Sequence, residues 1–177
     1  MHRILTLQPT QLMILALLCI SVSVSAKGTY QPPDEFVEQA FAGQPPDASI
    51  IWIKGELRAQ IENILQHSFD SKRVRYWKQG ERSVWVLDEI GKKKPITVGI
   101  VIDADKISQL KVLVFRETRG WEVRYPFFSE QFNNATLTEQ QQLSQTIDGI
   151  SGATLSVRAL KKLARIALLL NRTINPL

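Results

Sequence analysis

Between Ile96 and Ile102 the apolar side chains fall on every second position: Ile96, Val98, Ile100 and Ile102 alternate with Thr97, Gly99 and Val101. A period of two sends successive side chains to opposite faces of a β-strand. Asp103 to Lys106 supplies a turn, and Gln109 to Phe115 returns as a strand rich in Val and Leu. Upstream, Arg73 to Lys78 and Ser83 to Ile90 read as two further strands, with Gln79-Gly80-Glu81 as the turn between them. From Ser83 to Phe115 the pattern predicts an antiparallel meander. Gly99, inside a strand, marks either a bulge or the close approach of another backbone or a ligand.

Helical spacing flanks this block. Asp34 to Ala42 predicts a short helix with Phe36, Ala40 and Phe41 on one side, broken at Gly43 to Pro46. Glu56 to Gln66 places Leu57, Ile61, Ile64 and Leu65 on one face. A final helix runs from Leu155 to Asn171, with Leu160, Leu163, Ala164, Ala167 and Leu170 as its apolar stripe and basic residues on the other side. Thr138 to Gln145 reads as a short helix, and Lys27 to Pro33 as a flexible connection. Strands grouped together with helices on either side predict an α+β domain, an antiparallel sheet with packed helices.

The first residues carry a different signal. His2 and Arg3 precede a short apolar run from Leu12 to Ile20, and Val24-Ser25-Ala26 supplies small residues at the spacing of a secretory cleavage site. The run is well short of the roughly 20 apolar residues that a spanning helix needs. Residues 1–26 therefore read as a signal peptide, with Lys27 beginning the mature chain; left uncleaved, the same segment is an N-terminal anchor. Bulky Leu18 before Cys19 argues against lipid attachment there. The remaining chain divides into an N-terminal helical segment, 27–70, and a second unit, 71–177.

Composition excludes much chemistry. Cys19 is the single cysteine and lies in the leader, so the mature chain has no disulfide, thiolate metal site or Cys-x-x-Cys motif. His67 is the one histidine outside the leader, which rules out a histidine zinc cluster and leaves a hydrolase triad no spare candidates. The net charge of +5 is mild. Lys92-Lys93-Lys94 fits a turn, and Arg158, Lys161, Lys162 and Arg165 fit a solvated helix face. No array of Arg and aromatic residues points to nucleic acid. Redox chemistry would have to come from a bound organic cofactor.

The segment Asp148-Gly149-Ile150-Ser151-Gly152-Ala153-Thr154-Leu155-Ser156 is the most informative. Gly149 and Gly152 permit positive φ and close approach of backbone to a ligand. Hydroxyls at Ser151, Thr154 and Ser156 stand at a helix start, where free N–H groups and the dipole favour a phosphate. The plainer reading of the same residues is that Ser151 or Thr154 caps the helix.

This segment resembles the flavinylation motif of the FMN-binding domain family, which includes the FMN-carrying C and G subunits of the sodium-pumping NADH:quinone reductase and of Rnf complexes. The resemblance implies that Thr154 is the acceptor to which a flavin transferase esterifies FMN, using FAD and a divalent cation. It implies that Asp148 is the acidic residue which the transferase recognises, and that Ser151, Gly152 and Ala153 form the turn beside the phosphate, with Leu155 next to it. Glu117-Thr118-Arg119-Gly120 is similar to the family's Glu-Thr/Ser-x-Gly loop close to the flavin. Arg119 stands where the pump subunits have Pro, and Glu122 where they have Gly, so the chain looks more like stand-alone exported members. Trp121, Tyr125, Phe127 and Phe128 are either core or partners for stacking on the ring, Trp121 foremost. Arg119 pairs either with negative charge on the cofactor or with Glu117 or Glu122.

The resulting expectation is an exported flavoprotein electron carrier, in the periplasm or on the extracytoplasmic face of the membrane. FMN would be bound covalently through Thr154, without catalytic residues or a resident metal. It would pass electrons between a membrane or periplasmic donor and an acceptor. The alternatives are a flavin-dependent reductase of a small acceptor and a non-covalent FMN-binding module.

Overall fold

The computed structural model describes residues 28–176. The expected leader, with Cys19 and the expected cleavage site, lies outside the described residues.

Five strands form one antiparallel sheet in sequence order: β1 (Ser49–Trp52), β2 (Arg73–Gln79), β3 (Arg82–Ile90), β4 (Pro95–Asp103) and β5 (Lys106–Phe115). The period-two reading holds residue by residue. Ile96, Val98, Ile100 and Ile102 are fully buried on one face, together with Trp85, Leu87, Ile107, Leu110, Val112 and Phe115. Across that face runs the long helix α4 (Thr154–Ile174), which buries Leu160, Leu163, Ala164, Ala167 and Leu170. The fold is α+β, as expected.

The opposite face is covered by α1 (Pro33–Ala40), whose Phe36, Val37 and Ala40 pack with Phe41, Val84, Val101 and Leu113. Pro33 opens α1 at a position where its missing N–H costs nothing. Gly99 is not itself a bulge: it pairs with Val86 and Lys111, while the register shifts lie at Thr97/Val98 and Val101/Ile102. The close approach there is the Phe36 ring, which lies 2.4 Å from where a Cβ on Gly99 would stand. The helix α2 (Gly55–Leu65) packs Ile61, Ile64 and Leu65 into the larger core beside α4.

A buried polar link joins α4 to the sheet. Ser83 donates to Asn171 Oδ1 at 2.7 Å, Trp85 Nε1 donates to Ser83 Oγ at 2.8 Å, and Asn171 Nδ2 donates to the Ala104 carbonyl. Each polar atom in this link has a partner, so burial leaves none exposed to an apolar surrounding.

Three expectations need correction. The strand β1 was not legible: Ser-Ile-Ile-Trp is four residues without alternation, and pairing with β2 makes it a strand. Thr138 to Gln145 is not a helix. Leu137 and Leu143 form an isolated antiparallel bridge, and Gln141 adopts φ 57°. Its glutamines have no apolar face to bury, and a short helix without tertiary packing is not stable. Gly28 to Gln31 is not a loose connection either: the Phe115 amide donates to the Gly28 carbonyl, and the Tyr30 and Gln31 amides donate to the Leu113 carbonyl. Among the described residues no helix is long and apolar enough to cross a membrane.

Candidate functional site

Two loops converge on the first turn of α4. The first follows β5. Glu117 sends its carboxylate back to the turn between β3 and β4, where Oε1 accepts the amides of Lys92, Lys93 and Lys94, the last at 2.8 Å. Burial opposes ionisation of Glu117, but the three N–H donors outweigh it and hold the carboxyl below its ordinary range. Lys92-Lys93-Lys94 thus forms a turn as expected, and its backbone is what Glu117 reads. Thr118 and Arg119 are exposed. Among the described residues Arg119 makes no ion pair with Glu117 or Glu122 or with any other acid.

Gly120 then lies against α4. Its φ is 81°, and a Cβ there would stand 2.6 Å from Ser156 Oγ and 3.4 Å from Ala153. Only glycine combines that left-handed backbone with so close a contact. A 3-10 turn (Trp121–Arg124) and the short helix α3 (Pro126–Ser129) continue the chain. Of the aromatic candidates, Phe128 is core, whereas Trp121, Tyr125 and Phe127 are exposed. Trp121 meets Tyr125 edge to face at 5.6 Å, and the Arg124 guanidinium lies 4.4–4.9 Å from the ring centroids of Tyr30, Trp121 and Tyr125.

The second loop enters α4 from below. The Asp148 amide donates to Gln131 Oε1 at 2.7 Å, while its side chain is exposed. Ser151 and Gly152 are exposed, and Gly152 has φ 83° with open space where a Cβ would be. Ala153, buried, is the N-cap residue, and its amide bonds back to the Ile150 carbonyl. Thr154 is the first residue of α4 and is exposed, as is Leu155. Among the described residues neither Ser151 Oγ nor Thr154 Oγ1 makes a hydrogen bond, and α4 has no side-chain cap and no acid in its first turn. The plain capping role for these hydroxyls is therefore not what the structure shows. Ser156, one of the three hydroxyls expected at the helix start, is not presented there: it is buried against Gly120, from a loop 36 residues away.

The donor set fits a phosphate on this turn: a free hydroxyl, exposed glycine and serine backbone, and an uncapped helix start. Exposed Trp121 and Leu155 supply apolar surface suited to a planar ring.

The basic residues of α4 are not a simple solvated face. Arg158 is exposed, but Lys161, Lys162 and Arg165 are half-buried. With Ile64, Gln66, Thr154 and Val157 these four line an open groove of about 380 Å³. Lys162 Nζ lies 3.2 Å from Glu89 Oε1, a carboxylate 5% exposed, which also meets His67 Nε2 at 3.1 Å. The Ser68 carbonyl and Glu89 together raise the His67 pKa above its ordinary value. Among the described residues no group of three His, Cys, Asp or Glu side chains is arranged to hold a metal ion.

Comparison with curated proteins and with solved structures gives no match. Residues 91–169 match the family model of the FMN-binding domain. That range contains β4, β5, both converging loops and the part of α4 that carries Thr154. Residues 91–169 are therefore an FMN-binding domain of that family, which supports FMN as the cofactor bound there.

Proposed function

We propose that the chain is an exported electron carrier whose FMN is joined by a phosphoester to Thr154. The observation that carries this reading is the exposed Thr154 hydroxyl, free of hydrogen bonds, on the uncapped first turn of α4 inside the matched segment. FMN supplies reversible electron transfer on its ring. The chain's residues present the acceptor oxygen, seat the phosphate at the positive end of a helix dipole and offer Trp121 beside it.

Attachment exchanges one bond for another. Thr154 Oγ1 loses its proton and bonds to the flavin-side phosphorus of FAD, and AMP leaves. A threonine hydroxyl is a weak nucleophile unless an adjacent base activates it. Thr154 has no such neighbour among the described residues, and His67 is engaged with Glu89. This supports a separate flavin transferase as a partner, bringing the base, FAD and a divalent cation. The expected leader supports work outside the cytoplasm, in the periplasm or at the extracytoplasmic face of the membrane, between a membrane or periplasmic donor and an acceptor. Covalent attachment keeps the cofactor where free FMN is scarce.

The test is intact mass and in-gel fluorescence under denaturing conditions after co-production with an active transferase. The wild type should gain one FMN less one water and fluoresce, and Thr154→Val should do neither. A dark wild-type band at polypeptide mass overturns the attachment.

A further inference from the structure

The sheet is open between β2 and β3. These strands pair only near their hairpin, Tyr76–Gln79 against Arg82–Trp85. Beyond it, Arg73 to Arg75 pair only with β1 and Val86 to Ile90 only with β4. A ladder continued in the same register would set Arg75 opposite Val86, Val74 opposite Leu87 and Arg73 opposite Asp88. Asp88 instead accepts from Thr97 Oγ1 and lies 3.9 Å from Arg116. The opening is a cavity of about 440 Å³, within the range of sites that hold ligands. Leu65 of α2 and Leu163 and Ile166 of α4 give it an apolar floor, with Val74 and Leu87 on its walls. On the outer face α1 packs on β3 and β4 and leaves this corner uncovered, so Ile90 is exposed there. Ile50 and Trp52 are exposed too, paired with Arg75 and Arg73 across β1 and β2.

In an antiparallel ladder successive residues turn their N–H and C=O to alternate neighbours. Every second residue of Val86–Ile90 therefore points its backbone groups into the opening, where no strand meets them. Such an edge is a template for another extended chain. The side chains of that chain would alternate as well. Those level with Val74 and Leu87 would point inward to the apolar floor, and their neighbours outward beside Arg73 and Arg75. Among the described residues neither arginine has a carboxylate within ion-pair distance. On the opposite wall Val86 is neutral, Asp88 is engaged by Arg116, and Glu89 by His67 and Lys162. Opposite charges on adjacent strands attract. We infer that the opening receives an extended segment of another protein as an added strand, one in which apolar residues alternate with acidic ones. Main-chain bonds give such a complex its affinity, and alternate side chains its selectivity. The site is separate from the flavin turn, since no residue of the two converging loops lines it.

The probe is a synthetic peptide of about six residues alternating valine and glutamate, the length of an ordinary strand. Fluorescence polarisation measures binding to the purified protein, and hydrogen exchange locates it. Every second amide of Val86–Ile90 should exchange fast in the free protein and slowly with the peptide bound. A valine–lysine peptide should bind about tenfold more weakly, and a serine–glutamate peptide, with nothing to bury, should not bind. Arg73 and Arg75 are exposed, and Arg73→Glu/Arg75→Glu should reverse the preference from the glutamate peptide to the lysine peptide. Should that variant not fold, Arg75→Gln alone should narrow the difference between the two. No saturable binding of the valine–glutamate peptide up to about 1 mM overturns the inference, as does equal binding of all three peptides. Protection of these amides in the free protein, or a peptide that binds without slowing them, overturns it as well. An apolar dye that fills the cavity where the peptide does not would make it a small-molecule pocket instead of a strand site.

Discussion

Replacing Gly120 by alanine tests whether the loop after β5 is held against α4 by the contact described. Two costs arise from one methyl group. The backbone φ of 81° belongs to the left-handed region, which costs an L-residue roughly 1–2 kcal/mol. The new Cβ would also stand 2.6 Å from Ser156 Oγ, on a buried residue that cannot swing into solvent. Overpacking of this kind costs about 1–3 kcal/mol. Together Gly120→Ala should destabilise the protein by roughly 2–5 kcal/mol, and a domain of this size should lose about 5–15 °C in Tm. Thermal and urea unfolding would measure it in wild type, Gly120→Ala, Ser156→Ala and the double variant. Removing Oγ relieves the clash but not the backbone strain, so the loss from Gly120→Ala should shrink by about half in the Ser156→Ala background. If alanine at 120 leaves Tm unchanged, or costs the same with and without Ser156 Oγ, the loop is not seated as described.

Two further perturbations probe the groups that brace the site. Glu117→Gln should cost about 1–2 kcal/mol at neutral pH, because a carboxylate accepting three amides is replaced by a neutral acceptor. The Glu117 pKa is depressed on folding, so its contribution is present above the unfolded value and fades as pH falls through the folded one. The stability gap between variant and wild type, followed by urea unfolding, should accordingly close on acidification. Glu89→Gln should cost more, about 3 kcal/mol, because it leaves the Lys162 ammonium half-buried without its carboxylate. His67, with its pKa raised, should add stability at low pH that is lost as pH rises through its folded value. An NMR titration of its ring should show the raised pKa in wild type and a smaller rise in Glu89→Gln, where the Ser68 carbonyl, the larger cause, remains.

What could be read from the sequence depended on the range of the interactions. The strands β3 to β5 announce themselves by apolar residues that alternate toward the larger core, although α1 buries the other face as well, and α4 because Leu160, Leu163, Ala164 and Leu170 repeat at helical spacing. The strand β1 has no such pattern and exists by pairing alone. At the site, the Ser-Gly-Ala-Thr turn was legible as a local motif at a helix start. Ser156 was legible as a hydroxyl at that start but its burial was not, since its neighbour Gly120 comes from another loop. The glutamate of the Glu-Thr-x-Gly loop was legible as a residue but not in its partners, because backbone amides carry no signature in the sequence. The basic stripe was visible by spacing and read as solvated. Its second wall, Ile64 and Gln66, belongs to α2, and only tertiary packing makes the groove concave.

These supports share a direction. Glu117 ties its loop to the β3–β4 turn, Gly120 presses that loop onto Ala153 and Ser156, Gln131 holds the Asp148 amide, and Lys161 holds the Ile147 carbonyl. Each bond fixes backbone next to the turn, and none engages the side chains of Asp148, Ser151 or Thr154. A turn serving only to start a helix would be expected to use those hydroxyls as caps, since an N-cap bond is worth about 1 kcal/mol. Leaving them free while anchoring everything around them forgoes that stabilisation and keeps the acceptor oxygen in a set position at the surface. Such a layout suits modification by an enzyme that must grip an exposed, ordered turn. It also predicts that an acid in the first turn, with Leu155→Glu at an exposed position, should raise helix stability by about 0.3–1 kcal/mol relative to Leu155→Gln. The same carboxylate should impair flavin loading by competing for the free N–H groups and repelling the incoming phosphate. Equal loading of Leu155→Glu and Leu155→Gln in the fluorescence assay would contradict the phosphate seat at this helix start.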